Sequence, residues 1–114
     1  MTGAALPQHK ATDLKGRYFW IKRNKEGLVK AITNFQQAIE MDPDYALAYA
    51  GLADSYILKR VYVLLQPGET LPQMEAKAKA AAEKELEIDD TLAEAHASLG
   101  LIKAASENDQ AGIE

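Results

Sequence analysis

Apolar residues recur along this chain in steps of three and four, and the clearest run lies between residues 31 and 56. Ala31, Phe35 and Ala38 fall on one helical stripe, and Tyr49, Leu52, Ala53 and Tyr56 fall on the next. Pro43, set between Asp42 and Asp44, ends the first of these helices and opens the second. Alanines at the contact positions let two helix axes approach closely, and the aromatic rings fill the space between them. The pattern predicts an all-α chain built from helical hairpins.

Five helices are expected. A flexible leader covers residues 1–9, and a first helix covers about 12–23, with Leu14, Tyr18, Phe19 and Ile21 as its apolar positions. Gly16 inside that helix costs about 1 kcal/mol relative to alanine, which implies a neighbour too close for a side chain. The turn Asn24-Lys25-Glu26-Gly27 leads to a second helix over 26–41, and a third runs from 45 to at least 58. Gln66-Pro67-Gly68-Glu69-Thr70 reads as a loop, and Pro72 suits the first turn of a fourth helix over 72–88. Thr91 and Glu94 form a capping-box pattern for a fifth helix over 92–105, followed by a frayed tail over 106–114.

Aligning the helices exposes a repeat. A-I-T-N-F-Q-Q-A-I-E-M-D-P parallels A-K-A-A-A-E-K-E-L-E-I-D-D, and Y-A-L-A-Y-A-G-L-A-D parallels T-L-A-E-A-H-A-S-L-G. The expected organisation is repeat one over 10–43, repeat two over 44–90 and a capping helix over 91–105. Pro43 and Asp90 stand 47 residues apart, so an insertion over 61–73 lengthens the second repeat.

Composition fits this picture. A chain of 114 residues supports one domain with a modest core, and no apolar run approaches the length of a membrane span. The absence of cysteine excludes disulfides and thiolate chemistry, and cytoplasmic residence is the default expectation. The net charge of −4 hides an asymmetry, with +5 over residues 1–30 and −9 over the remainder. The basic end could guide an acidic partner, or could simply be a solvated helix face. Nucleic-acid binding is a weak alternative, because the whole is acidic and the basic residues lie on no aromatic platform.

These residues resemble the tetratricopeptide repeat, whose pattern sets an aromatic, L-G and an aromatic before A-x3-F-x2-A and a proline. Ala31, Phe35, Ala38 and Pro43 match its second helix. Tyr49, Leu52, Ala53 and Tyr56 match the first helix of the next repeat, and His96, Leu99 and Gly100 match the one after. The string G-R-Y-F-W-x-K-R-x-x-E-G-L is similar to a variety found in bacterial multidomain signalling proteins. The pattern departs at Glu85, where a small residue is expected, and at Asp90, where a proline is expected.

The resemblance implies a protein-interaction module that holds a peptide or helix of a partner in a concave groove, within a larger regulatory or scaffold protein. In that register Arg17, Trp20 and Ile21 line the groove from repeat one. Leu47, Ala50, Asp54 and Ile57 line it from repeat two, and Glu94, Ala97 and Leu101 from repeat three. Trp20 could equally pack on the second helix of its own repeat. The positions that would clamp a terminal carboxylate are Gly51, Glu94 and Ser98, which do not suit one. The alternative function is homo-oligomerisation through the fifth helix, whose outer stripe is Leu92, Leu99 and Ile102. The inserted V-Y-V-L-L-Q-P-G is either a contact surface or core completion.

No enzymatic chemistry and no cofactor are expected. His9 and His96 lie in different elements and suit no metal site, and D-P-D and I-D-D lack the spaced ligands and glycine of a calcium loop. There is no glycine-rich phosphate loop, nucleophile elbow or H-E-x-x-H.

Overall fold

The computed structural model describes residues 7–62 and 64–89. Within them the chain forms four helices, α1 (Gln8–Ile21), α2 (Lys25–Met41), α3 (Ala46–Val61) and α4 (Leu71–Ile88), and no strand. Each helix packs on the next, and α1 also touches α3. Short connections make the neighbours antiparallel, so the fold is a tandem of helical hairpins like that of the tetratricopeptide repeat. The expected fifth helix, over 92–105, and the tail lie outside the described residues.

The helix ends show the local chemistry. α1 begins a turn before the expected residue 12, because the Pro7 carbonyl accepts from the Lys10 and Ala11 amides at 3.0 and 3.1 Å. It closes at Ile21 and leads into Arg23, which takes a left-handed conformation with φ 50° and lays its guanidinium 4.9 Å from the Trp20 ring centre. Asn24 caps α2, its Oδ1 accepting from the Gly27 amide at 2.6 Å. Thr70 and Gln73 form a reciprocal capping box at the start of α4, with Leu71 and Pro72 in its first turn.

Two packing centres hold the helices together. In the first, Phe35 of α2 is fully buried, and its ring lies against Gly16 of α1 and Gly51 of α3. Leu28, Ala31 and Ala38 of α2 and Ala48 of α3 are also fully buried. The second joins α3 to α4 through Ala53, Tyr56, Met74, Ala78, Ala81 and Ala82. Ile32, Leu52, Ile57 and Leu65 pack around its edge. Alanine dominates both centres, so the helices sit close and a few large side chains fix their spacing. Glu85 is fully buried in α4 at the slot where a small residue is expected.

The connection between α3 and α4 is pinned from within. Lys59, 2% exposed, donates to both Glu69 carboxylate oxygens at 2.6 and 2.8 Å. The Gln66 amide donates to the same carboxylate at 2.7 Å. Burial pushes the Glu69 carboxyl up, but the bonds from Lys59 and Gln66 and the charges of Lys59 and Lys77 outweigh it and hold it below 4.5. Leu64 and Leu65 are half-buried and Leu65 folds onto the α3–α4 centre, whereas Tyr62 stays exposed. The inserted segment thus completes the core with one part and faces solvent with another.

Candidate functional site

The surface expected to bind lies where α1 and α3 run side by side. Arg17 joins them, its Nη2 donating to the Leu47 carbonyl at 2.9 Å and its Nε to Asp13 Oδ2 at 3.3 Å. Asp13 is 3% exposed, so this ion pair stands on a buried carboxylate and is stiffer than an ordinary surface pair. The guanidinium also stands 5.8 Å from the Phe35 ring centre, which ties the surface to the core beneath it.

Nearby, His9 pairs with Asp42 at 3.5 Å and meets the Tyr45 ring edge-on at 4.8 Å. These contacts fasten the start of α1 to the turn between α2 and α3. Burial pushes the Tyr45 hydroxyl above its ordinary value, and Asp13 and Asp42 add to this against the opposing charge of Arg17.

Of the expected lining residues, the structure brings Arg17 and Leu47 together directly. Leu47 is 38% exposed and Ile21 68%, so both offer apolar surface. Trp20 is half-buried, and its indole N–H is buried with no acceptor among the described residues. Ala50 lies beneath the surface at 1% exposure, and Ile57 packs on the α3–α4 centre. Asp54 is half-buried between them along α3. Glu94, Ala97 and Leu101 lie outside the described residues.

A second concavity is one that periodicity did not indicate. A recess of about 210 Å³ opens between α2 and the pinned connection, walled by Ile32, Gln36, Tyr56, Lys59, Glu69 and Lys77 among others. The Tyr56 hydroxyl accepts from Gln36 Nε2 at 3.4 Å, and Lys77 stands 5.7 Å from the Tyr56 ring centre. Burial pushes the Tyr56 hydroxyl up, as does the Glu69 charge, against the opposing Gln36 bond. The signal for this corner was Lys59, a cation on the buried stripe of Leu52 and Tyr56, which calls for a carboxylate partner.

No group of three or more His, Cys, Asp or Glu side chains could hold a metal ion among the described residues. No described helix is long and apolar enough to cross a membrane.

Comparison with family models matches residues 27–59 to the TPR repeat, which supports a relationship to the tetratricopeptide-repeat proteins. The matched stretch runs from the first turn of α2 to Lys59 in α3 and includes Phe35, Gly51 and Leu47. No curated protein and no solved structure matches the chain.

Proposed function

We propose that the α1–α3 surface receives a peptide or helix of a partner protein, and that the chain serves as a protein–protein interaction module. TPR repeats generally mediate protein–protein interactions, and the match over residues 27–59 supports reading this chain in the same way. The observation that carries the proposal is the Arg17–Leu47 bond, which holds the two helices in one continuous surface with Leu47 and Ile21 open to solvent. Arg17 and Trp20 are residue types that dominate binding hot spots. Asp54, and Glu94 beyond the described residues, would favour a basic or mixed sequence in the bound segment. Ala50 would support the surface from below, and Ala97 and Leu101 would extend it. The module would belong to a larger cytoplasmic regulatory or scaffold protein of the bacterial signalling kind, and nothing in its chemistry points to catalysis.

Peptide selection from a random library on the immobilised chain tests this, with counter-selection on Leu47→Asp. Leu47 is partly exposed at the start of α3, so the variant should melt as the parent does. Selected peptides should bind the parent and lose the variant. Peptides that hold both equally would place the binding surface elsewhere.

A further inference from the structure

We propose that the outward face of α1 is a separate docking surface for an amphipathic helix with acidic flanks. Ala11, Leu14, Tyr18 and Ile21 follow one another in steps of three, four and three, the spacing of a coiled-coil seam. All four are exposed, with Leu14 at 56%, Tyr18 at 58% and Ile21 at 68%. The packed side of the helix is elsewhere, at Asp13 and Gly16, which are buried. Three large apolar side chains in register on a solvent-facing helix form a contiguous patch of the kind that marks an interaction site.

The edges of the patch define its occupant. The positions flanking the seam are Lys10 and Arg17 on one side and Lys15 and Lys22 on the other. Arg17 is engaged by Asp13 and the Leu47 carbonyl, so Lys10, Lys15 and Lys22 carry the cationic edges. Lys10, Lys15 and Lys22 are exposed, and Lys22 Nζ stands 4.7 Å from the Tyr18 ring centre. A partner helix with Asp or Glu beside its apolar seam would meet opposite charge along both edges. A second copy presenting this same face would bring lysine against lysine, which disfavours symmetric pairing. The apolar seam shares only Ile21 with the α1–α3 groove, and Arg17 stands on the border between the two.

The test titrates the full chain with two designed heptad-repeat helices, both with leucine at the seam positions, one with glutamate and one with lysine at the flanks. The glutamate helix should bind at least about tenfold tighter, and more weakly as salt rises. Tyr18→Glu should lower its affinity at least about tenfold, as for a central interface aromatic, with an unchanged melt. Leu14→Glu is the second probe should that variant fold poorly. The double variant Lys15→Glu/Lys22→Glu should erase the preference, because one edge is then acidic and the other still basic. Leu47→Asp should leave the preference intact, which separates this surface from the groove. Equal binding of the two helices, or binding indifferent to both Tyr18→Glu and Leu14→Glu, overturns the proposal. So does sedimentation showing a self-associated chain that Tyr18→Glu dissociates, since the occupant is then a second copy.

Discussion

Gly51 of α3 presses on the ring of Phe35 so closely that a methyl group added there would stand 2.5 Å from its Cε1 and Cζ. A methyl at Gly16 of α1 would stand 2.8 Å from Cε1 of the same ring. One fully buried aromatic side chain therefore sets the spacing of three helices, and the glycines are small because the ring passes over them. Overpacking costs about 1–3 kcal/mol, whereas replacing a helical glycine by alanine returns up to about 1 kcal/mol of helix propensity. Gly51→Ala should therefore lower stability in urea melts, and by more than Gly16→Ala. Combining Gly51→Ala with Phe35→Leu should cost less than the sum of the two single changes. Strict additivity would refute the contact.

The Lys59–Glu69 pair makes stability depend on acid. Glu69 has a carboxyl held below 4.5 in the folded chain, so the unfolded chain binds its proton first as pH falls. The stabilisation is present above the unfolded value and is lost as pH drops through the folded one. Glu69→Gln should remove this acid sensitivity. At neutral pH it should also cost about 3–5 kcal/mol, since it leaves the buried Lys59 ammonium without its counter-charge. Replacing both residues by methionine should cost much less, because no charge is then stranded. Urea midpoints at neutral and acid pH for the parent and the two variants decide the matter, and parallel pH profiles for parent and Glu69→Gln would sink the idea.

How much of this was legible in the sequence depends on the range of each interaction. Ala31, Phe35 and Ala38 were readable because a helical stripe is a local pattern and Pro43 marks its end. The two hairpins followed from the same signal. Lys59 and Glu69 meet across ten residues and a loop, and no periodicity connects them. The early start of α1 was hidden because Gln8, His9 and Lys10 are polar, so the apolar pattern begins only after the helix does. Leu14 and Tyr18 show the limit most sharply. Spacing identifies an apolar stripe but does not say whether the chain covers it, and the described residues leave it open. In the candidate groove, register put Arg17 and Leu47 on one expected surface from two repeats, without pairing them. It could not show that Ala50 lies under the surface or that Ile57 turns to α4, because both depend on the angle at which α3 crosses its neighbours.

Two tyrosines should titrate late. Burial raises the hydroxyls of Tyr45 and Tyr56 above 10, so the unfolded chain releases these protons first in alkali. Their stabilisation is complete below the unfolded value and is lost as pH rises through the folded values. Phenolate absorbance of the folded chain should show a fraction ionising above the ordinary tyrosine range. Tyr45→Phe and Tyr56→Phe should each remove part of it, and the double variant should remove all of the late fraction assigned to them. An undiminished late phase in that double variant would assign it to other residues.

Arg17 should resist its nominally conservative replacement. Its planar guanidinium donates from Nη2 to the Leu47 carbonyl and from Nε to Asp13, two acceptors in different directions on different helices. A lysine ammonium is a single point on a flexible stem and cannot hold both geometries. The Asp13 carboxylate is nearly buried, so weakening this ion pair removes a charge-assisted bond worth about 1.5–3 kcal/mol. Arg17→Lys should therefore destabilise the chain by an amount close to that of Arg17→Met, although the charge is kept. A double-mutant cycle of Arg17→Lys with Asp13→Asn should show coupling, since both changes act on one bond. If Arg17→Lys melts with the parent while Arg17→Met does not, charge alone suffices. The fork between α1 and α3 would then not be what aligns the two helices.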